Sequence, residues 1–361
     1  MVSVGIEGII LTRLSPRESL FFRQDNFVID SRVLADFLEC SGARRGDYYL
    51  LVGRGRILAA LPREPEAFLR TLSLYRPQKP AARLWTAWIR LLAHARVQGG
   101  FLPSWTWSGA KEPTLPAPGI LLGNPAHPSR RCLFVLRQGG KWVVEKFYPG
   151  TVVPKVLERE KVLLQAALGL GDHAPAVLGL NPMGKGWALR TEFLEASNRK
   201  PAWPEALTLL QAWLLPLPFR PLADFPLAAK LPDKILSRFP AGPGIRLRPC
   251  LRHGDFAPWN LLPCRERGLI AVDWEEGHEE DAPGFDLIHY LLQEEFLVHR
   301  SPFPIAKDRI LERLQNTWTA EYLAACGWHG AENILWELAL ALEISARKEI
   351  ADWVSSVSGG C

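Results

Sequence analysis

The chain has 361 residues, of which 48% are hydrophobic and 22% are charged, and its formal net charge is +5. This length and composition indicate a folded protein with a sizeable core and exclude a disordered or low-complexity chain. None of the six cysteines forms a C-x-x-C pair or lies near a cluster of histidines. Neither a disulfide framework nor a cysteine–histidine metal site is therefore expected.

The N-terminus and the apolar stretches predict the compartment. "MVSVGIEGIILTRLSP" lacks a basic segment ahead of an apolar core and a small-residue cleavage site, so no signal peptide is expected. The most apolar stretches, such as "ALTLLQAWLLPLP", are too short and too interrupted by proline to span a bilayer. Together with reduced thiols, these features predict a cytoplasmic protein.

The positive charge is concentrated in the first part of the chain. Residues 1–100 hold 15 Lys or Arg against 9 Asp or Glu, whereas the remaining residues are close to neutral. "NFVID" and "YYLLVGRGRILAAL" are typical of strands, and "EPEAFLRTLSLY" and "AARLWTAWIRLLAHARVQ" are typical of helices. We therefore expect residues 1–100 to form a small additional N-terminal α/β unit.

The second of these helices has two interpretations. Its apolar side comprises Leu84, Trp85, Trp88, Ile89, Leu91 and Leu92. Arg83, Arg90 and His94 lie together on the other side. The favoured interpretation is a helix that packs against the core and exposes a basic face. The alternative is peripheral contact of this basic unit with an anionic membrane surface or a protein. No nucleic-acid partner is expected.

The remaining chain divides into a connector, a strand-rich part and a helical part. Residues 101–117 are predicted to be a connector, because the surrounding segment is rich in Gly, Pro and Ser. Residues 118–195 contain four predicted strands, a helix over "VPKVLEREKVLLQAALGLG" and a hairpin turn at Gly139-Gly140. Residues 196–361 are predicted to be mostly helical. This order indicates an α+β fold.

The most informative stretch is "HGDFAPWN" with the hairpin that follows it. Asp255 and Asn260 have the spacing D-x-x-x-x-N, and Asp273 follows Asn260 after 13 residues. Two short strands around the turn "RERG" would bring Asn260 and Asp273 to one point. Two oxygen ligands there would suit Mg²⁺ with substrate phosphates. Asp255 precedes the hairpin and is left to accept a proton from a hydroxyl.

These residues resemble the aminoglycoside phosphotransferase family of protein-kinase-like enzymes. The similarity consists of H-G-D with the D-x-x-x-x-N spacing, the "DWE" that begins at Asp273, and "APGFDL" downstream. The resemblance implies a protein-kinase-like two-lobed fold, with residues 118–195 as the N-lobe and 196–361 as the C-lobe. Residues 1–100 lie outside it.

The resemblance also implies roles for individual residues. Asp255 would be the catalytic base, and Asn260 and Asp273 would be the Mg²⁺ ligands. Asp286 would be a buried acceptor that braces the catalytic loop, and His253 would orient that loop by hydrogen bonds.

A kinase-like fold further requires a strand lysine for the inner phosphates and a helix glutamate that orients it. Lys146 lies on the strand "KWVVEKFY". In the next helix, Glu160 falls inside the apolar stripe and Glu158 on the polar side. A buried acid needs a partner, so we predict that Glu160 pairs with Lys146. "TEFLEA" is similar to the hinge of the family, which places Glu192 and Leu194 at the adenine of ATP, or at the guanine if the nucleotide is GTP.

Two departures from the kinase pattern affect the expected substrate. No G-x-G-x-x-G precedes Lys146, and "LLGNPAHPSRR" takes the place of the phosphate-covering loop. Ala257 stands where protein Ser/Thr kinases carry a lysine, which argues against a protein substrate. We therefore expect ATP- and Mg²⁺-dependent phosphorylation of a small-molecule hydroxyl, on a sugar or glycan precursor, an amino alcohol or an aminoglycoside. The alternative is an inactive pseudokinase scaffold that binds nucleotide or a protein.

An acidic segment follows the hairpin. Its members are Glu275, Glu276, Glu279, Glu280 and Asp281. A solvated loop is the favoured interpretation, and attraction of a cationic substrate is the alternative. The neighbouring Trp259 and Trp274 are predicted to be core residues rather than platforms for substrate.

Overall fold

The structure is a computed structural model, and it describes residues 21–24, 27–30, 32–43, 46–53, 56–77, 80–107, 117–123, 131–197, 199–232 and 244–356. The chain forms two compact units. The first comprises residues 1–158 and 177–193, and the second comprises residues 159–176 and 194–361. The first is rich in strands and the second in helices, which confirms the predicted α+β class.

The first unit is built around one large sheet. Its described elements are β1 (Phe21–Gln24), β2 (Phe27–Asp30), α1 (Arg32–Ser41), β3 (Gly46–Gly53), β4 (Arg56–Pro62), α2 (Pro65–Leu74), α3 (Pro80–His94), β5 (Ser104–Trp107), β6 (Gly119–Leu122), β7 (Cys132–Gln138), β8 (Lys141–Pro149), β9 (Val177–Met183) and β10 (Gly186–Glu192). Helix α4 (Lys155–Gly169) begins in this unit and continues into the second. The hairpin of β7 and β8 turns at Gly139 and Gly140, as predicted, and both glycines have positive φ.

Eight strands form a continuous antiparallel sheet in the order β5-β3-β4-β6-β7-β8-β10-β9. The junction lies between β4 and β6, where Ala59 is paired with Leu121 and Ala60 with Ile120. Strands from the first hundred residues therefore share one sheet with the predicted N-lobe strands.

Both faces of the sheet are covered on the side of β3 and β4. Leu50 and Ala60 face a core that includes α1, whereas Leu51 and Ala59 face a core that includes α2 and α3. Neighbouring residues of a strand point to opposite faces. Burial on both faces thus explains why "YYLLVG" and "ILAALP" are apolar without alternation.

Helix α2 approaches the sheet closely at Gly119, the first residue of β6. A Cβ atom at this position would lie 1.6 Å from Thr71 Oγ1. Thr71 is itself buried and donates its hydroxyl to the Ala67 carbonyl. Only glycine leaves room for this contact between helix and strand.

The division of the first part differs from the one expected from sequence. Contact between β4 and β6 places residues 1–100 and the strands after residue 118 in one compact unit, rather than in two. The predicted connector contains strand β5, whose "SWTW" pairs with β3. Residues 108–116, the rest of that connector, lie outside the described residues. Independent folding of residues 1–100 stays a prediction, and the shared sheet argues against it.

The orientation of α3 also differs from the expectation. Ile89 and Leu92 are buried, but Leu84, Trp88 and Leu91 are exposed. The interpretation of a single apolar side that faces the core is therefore wrong for these three residues. Arg90, which was expected on the solvated basic face, is half-buried, and burial lowers the pKa of its guanidinium. A helical wheel shows apolar positions but not which of them meet a neighbour.

The second unit is mostly helical. Besides most of α4, its described elements are α5 (Trp203–Ala212), β11 (Arg220–Pro221), β12 (Arg246–Leu247), β13 (Cys250–Arg252), β14 (Leu261–Cys264), β15 (Gly268–Ala271), β16 (His278–Asp281), α6 (Phe285–Gln293), α7 (Phe303–Leu314), α8 (Thr317–Cys326), α9 (Glu332–Ala346) and α10 (Lys348–Ser355). The strands form three two-stranded pairs, β11 with β12, β13 with β16 and β14 with β15. Throughout the ranges that the structure describes, the helices are too short or too polar to cross a membrane.

Helix α6 is the central helix of this unit. All nine of its residues are buried, including Asp286, His289 and Gln293. These three polar residues are spaced i, i+3 and i+7, so they share one face of the helix. A buried polar face of this kind requires partners on neighbouring segments. For Asp286 and His289, the partners belong to the candidate site.

Candidate active site

The loop that follows β13 is held by the carboxylate of Asp286. One carboxylate oxygen accepts the backbone N–H of His253 at 2.7 Å, and the other accepts that of Gly254 at 3.0 Å. Asp286 is 5% exposed, so these charge-assisted bonds are shielded from water. The first turn of α6 therefore holds the loop at the "HGD" stretch, the position that the sequence analysis assigned to Asp286.

The glycine of "HGD" is required by the backbone. Gly254 has φ +83°, and a Cβ atom there would lie 2.2 Å from the Glu276 carbonyl oxygen. The loop thus passes directly against the segment that follows Asp273, at a distance that no side chain permits.

The His253 side chain is a second support of the same loop. It is fully buried, and its Nε2 lies 3.0 Å from the Val272 carbonyl oxygen, while its Nδ1 accepts the backbone N–H of Asp255 at 3.3 Å. This pattern requires the neutral ring with its proton on Nε2. Burial lowers the pKa of His253, which agrees with a neutral ring. His253 thus links the loop to the end of β15.

The predicted hairpin of β14 and β15 is present and places the backbone of Asn260 opposite Val272, next to Asp273. Convergence of the Asn260 and Asp273 side chains on one cation stays a prediction. Leu261 is paired with Ala271, and the N–H of Val272 donates to the Asn260 carbonyl at 2.9 Å. Asp273 follows directly and has φ 67°, a left-handed conformation that is uncommon for a residue other than glycine. Such backbone strain is found preferentially at functional sites.

The Asp255 carboxylate is oriented by three side chains. Asn260 donates from Nδ2 to Asp255 Oδ2 at 2.9 Å and also to the Asp255 carbonyl at 2.8 Å. His289 Nε2 lies 3.0 Å from Oδ1, and Arg347 Nη2 lies 3.5 Å from the same atom. The Asp255 side chain is still 30% exposed, so a ligand can reach it.

His289 lies between two carboxylates. Its Nε2 faces Asp255, and its Nδ1 lies 2.8 Å from Glu343 Oε1 on α9. Two carboxylate partners require a proton on each ring nitrogen, which describes an imidazolium. Burial alone would lower the pKa of His289, but the charge of Glu343 and the hydrogen bonds to both carboxylates raise it to about 9. Arg347 completes the cluster as a second cation bonded to Glu343.

This cluster changes the acidity of Asp255. Burial would raise the pKa of Asp255, but the hydrogen bond and charge of His289, together with the charge of Arg347, lower it well below its usual value. Asp255 is therefore ionised throughout the physiological range. An ionised, partly exposed and firmly oriented carboxylate can accept a hydrogen bond from a hydroxyl group.

The side chains beside Asp255 carry the oxygen atoms that a magnesium ion prefers as ligands. Asn260 uses its Nδ2 for the bonds to Asp255, so its Oδ1 would be the atom that coordinates a cation, and Asp273 would supply a carboxylate. Among the residues that the structure describes, no group of three or more His, Cys, Asp or Glu is placed to hold a metal. Two protein oxygens are typical of Mg²⁺ sites that draw their other ligands from phosphates and water.

The predicted nucleotide residues of the first unit lie on β8 and β10. Lys146 is half-buried on β8, on the face opposite to its neighbour Glu145. Glu145 is fully buried and forms an ion pair with Arg190, its cross-strand partner on β10, with contacts of 2.5 and 2.6 Å. This pair was not predicted from the sequence, although a Glu between Val143 and Phe147 in an apolar strand required a partner.

The two glutamates of helix α4 differ in burial, as the position of the apolar stripe predicts. Glu160 is buried at 3% exposure, and Glu158 is exposed. Glu158 and Lys146 belong to the first unit and Glu160 to the second. The pairing of Glu160 with Lys146 stays a prediction.

The predicted hinge is divided between the units. Glu192 ends β10 in the first unit, and Leu194 begins the second unit. Leu194 packs against the cluster of Leu262, Cys264 and Ile270 on the β14–β15 hairpin. Their role at adenine stays a prediction, and residues 124–130, in the place of the phosphate-covering loop, lie outside the described residues.

The acidic segment is only partly solvated. Glu275 and Asp281 are buried, and Asp281 lies 2.9 Å from the Arg252 guanidinium. Glu276 and Glu279 are exposed. The interpretation as a wholly solvated loop is therefore wrong, because two of the five acids are core residues. Trp274 is fully buried, as predicted, and Trp259 is half-buried.

The cluster of His289, Glu343 and Arg347 is absent from the sequence-based site. Two of its members carry a recognisable pattern: His289 interrupts the apolar run "FDLIHYLLQ", and Glu343 interrupts "LALALEISA". A polar residue in the apolar part of a helix requires a buried partner. That pattern shows that partners exist, but only the packing of the helices shows that they are Asp255 and each other.

Comparisons with known proteins found matches among solved structures. No protein-family model matches it, and no curated protein matches it. Similar solved structures include the choline kinase LicA from Streptococcus pneumoniae, with a TM-score of 0.37 and 13% identity over 66% of this chain and 92% of that one.

Two aminoglycoside phosphotransferases are also similar in structure. One is APH(3'')-Id from Streptomyces rimosus in complex with ADP and streptomycin, with a TM-score of 0.38 and 16% identity over 58% of this chain and 89% of that one. The other is a thermostable mutant of APH(4)-Ia, with a TM-score of 0.39 and 14% identity over 66% and 95% of the two chains.

Proposed function

We propose that the protein is a phosphotransferase that moves the terminal phosphoryl group of ATP, or of GTP, to a hydroxyl group of a small molecule. The observation that supports this proposal is the position of the Asp255 loop. Asp286 holds this loop at two backbone N–H groups, and the loop lies beside the Asn260–Asp273 hairpin. An oriented carboxylate next to two oxygen ligands is the arrangement that phosphoryl transfer to an alcohol requires.

In the proposed reaction, the acceptor hydroxyl donates a hydrogen bond to the Asp255 carboxylate. Its oxygen forms a bond to the terminal phosphorus, the bond from that phosphorus to the bridging oxygen breaks, and the nucleoside diphosphate leaves. The hydroxyl proton passes to Asp255. Because the pKa of Asp255 is lowered, this transfer follows late, when the oxygen has bonded to phosphorus and its proton has become acidic.

The other residues bind and position. Asn260 and Asp273 would hold Mg²⁺, which when bound supplies positive charge to the phosphate oxygens. Lys146 would contact the inner phosphates, with Glu160 as its partner, and the segment with Glu192 and Leu194 would receive the base. His253 and Asp286 hold the loop by hydrogen bonds. Rate enhancement in such a site comes from positioning and charge stabilisation.

The first experiment measures ADP formation by the full-length protein with Mg²⁺, ATP or GTP, and a panel of hydroxyl compounds. Sugars, glycan precursors, amino alcohols and aminoglycosides form the panel, and a catalysed signal is expected for one class. Absence of transfer with every compound, combined with intact nucleotide binding, would favour the alternative of an inactive kinase-like scaffold.

A second experiment tests the metal ligands. Asp273→Ala should weaken Mg²⁺-dependent ATP binding, because the remaining ligand Asn260 is neutral and cannot offset the desolvation of the cation. Asp308→Ala removes an exposed acid of the same unit and is the matched control. Unchanged Mg²⁺-ATP affinity in both Asp273→Ala and Asn260→Ala would place the metal elsewhere.

A further inference from the structure

Helix α3 of the first unit carries apolar side chains on two opposite faces. Ile89 and Ala93 are buried in a core cluster with residues of β3, β4 and α2. Leu84, Trp88 and Leu91, spaced i, i+4 and i+7, form a second apolar stripe on the opposite face. Their exposed fractions are 74%, 37% and 64%. An outward-facing apolar stripe is not explained by the fold of the unit.

The stripe continues beyond the end of the helix. Phe101, 37% exposed, packs edge-on against Trp88 with ring centroids 4.9 Å apart. Val97 in the same turn is 49% exposed. We call these five residues, Leu84, Trp88, Leu91, Val97 and Phe101, the α3 patch. Several large apolar side chains grouped on one surface mark a region that meets an apolar phase or a partner.

The chain segment that carries the α3 patch has charge of one sign. Residues 67–111 contain no Asp or Glu, but they contain seven Lys or Arg. Arg70 is paired with Glu66 and contributes little. Arg83, His94 and Arg96 are exposed on α3 and the turn that follows it. Arg83 donates to the Pro77 carbonyl and retains its charge. A partner of this surface is therefore anionic.

We propose that the α3 patch docks the protein on an anionic phospholipid membrane surface. Apolar side chains that include aromatic rings, bordered by arginines, match the boundary between acyl chains and phosphate headgroups. Arginine stems also cover apolar surface while the guanidinium stays at headgroup level. The 15 residues of α3 are too few to span a bilayer, and its opposite face belongs to the core of the unit, so the helix lies on the membrane.

A second copy of this chain is a poorer occupant, because two α3 patches would bring like charges together. A nucleic acid would match the arginines but gives no role to the exposed Leu84, Leu91 and Val97. Of these three occupants, the membrane surface is the one that matches the charge and the aliphatic side chains together.

The test is co-sedimentation of the full-length protein with vesicles of phosphatidylcholine, with and without roughly one third phosphatidylglycerol. Binding is expected only to the anionic vesicles. It should decrease when NaCl is raised from about 0.05 M to about 0.5 M, because salt screens the arginines. Equal binding to both vesicle types, or none to either, would overturn the proposal.

Matched variants distinguish binding through the α3 patch from non-specific binding through other exposed apolar residues. The double variant W88S/L91S should lower the partition coefficient about tenfold or more, because it removes two apolar side chains from the membrane contact. The control W318S/L178S removes the same side-chain types at positions 57% and 53% exposed elsewhere, and it should bind as the wild type does. Equal loss in both variants would overturn the assignment to α3.

The charges are tested in the same assay. R83Q/R96Q should lower the partition coefficient by roughly tenfold at low salt, and K141Q/K155Q, which removes two exposed lysines elsewhere, should change it little. All four variants alter exposed residues, and equal melting temperatures show that they fold. Sedimentation velocity without lipid tests self-association. If the wild type were a dimer and W88S/L91S a monomer, the α3 patch would be a dimer interface, which would overturn the membrane proposal.

Discussion

Each unit of this protein buries charged groups, but it does so in a different way. In the sheet unit, Glu145 and Arg190 are directly opposite each other on β8 and β10, so the antiparallel register alone brings them together. In the helical unit, Asp255 meets His289 and Arg347, which follow it by 34 and 92 residues. Glu145 and Arg190 are also 45 residues apart in the chain, but one pair of strands places them, whereas no single pair of elements places the groups around Asp255.

The difference lies in what each arrangement depends on. The pair of the sheet persists as long as two neighbouring strands keep their register. The cluster around Asp255 requires the loop, α6 and the end of α9 to be packed together. The orientation of the proposed base is therefore a property of the whole helical unit, whereas the Glu145–Arg190 pair is a property of one strand pair.

Asp255→Asn should show the largest effect on activity. The amide cannot accept the hydroxyl proton, and loss of a general base typically lowers the rate by about 10² to 10⁴. ADP formation with the identified acceptor measures the loss, and ATP affinity should stay near the wild-type value. Asp308→Asn, an exposed acid on α7, is the control. Near-normal turnover of Asp255→Asn would show that another group accepts the proton.

Arg190→Met should show the largest effect on stability. It leaves the fully buried Glu145 without its cation, which costs about 3–5 kcal/mol in the free energy of unfolding. Denaturant titration measures the cost. The double variant Glu145→Gln/Arg190→Met removes both charges and should recover most of it. If Arg190→Met were as stable as Arg137→Met, at the exposed end of β7, the pair would contribute nothing.

Glu160→Gln and Glu158→Gln test the face of α4. Glu160 is buried and Glu158 is exposed, two helix positions and about 200° apart. If Glu160 holds Lys146 at the inner phosphates, its loss should lower phosphoryl transfer by up to about 10²-fold through misplacement of the nucleotide. The Glu158 variant should be almost silent. An equal effect of both variants on kcat/KM would remove Glu160 from the nucleotide site.

His289→Gln should show the smallest effect, and one that depends on pH. The pKa of His289 is raised from 6.5 to about 9 in the folded protein, so its protonation stabilises the fold. That contribution is complete below pH 6.5 and is lost as the pH rises through about 9. The difference in Tm between wild type and His289→Gln should therefore be largest near about pH 6 and fade by about pH 10.

The matched control for this series is His94→Gln, an exposed histidine of α3, which should keep the Tm profile of the wild type. A Tm difference for His289→Gln that stayed constant from pH 6 to pH 10 would mean that His289 is not charged between Asp255 and Glu343. The same series measures how strongly the cluster of His289, Glu343 and Arg347 stabilises the loop of Asp255. The Glu145–Arg190 pair of the first unit does not depend on such a cluster.

Local sequence determined a good part of this protein. The turn at Gly139-Gly140, the hairpin that places the backbone of Asn260 next to Asp273, and the burial of Glu160 all follow from spacings of a few residues. The period of a strand or a helix decides which side chains share a face, and the turn residues decide where a hairpin closes. The α+β class follows from the order of these elements.

Tertiary structure alone decided the rest. It joined β4 to β6 in one sheet, turned Leu84, Trp88 and Leu91 outward, and brought His289 to Asp255. Unpaired backbone groups at a strand edge, exposed apolar surface on a helix and a buried charge on a histidine all cost free energy. Each of these features therefore indicates that a partner exists. Which partner satisfies them depends on contacts between distant segments, and no spacing along the chain encodes that choice.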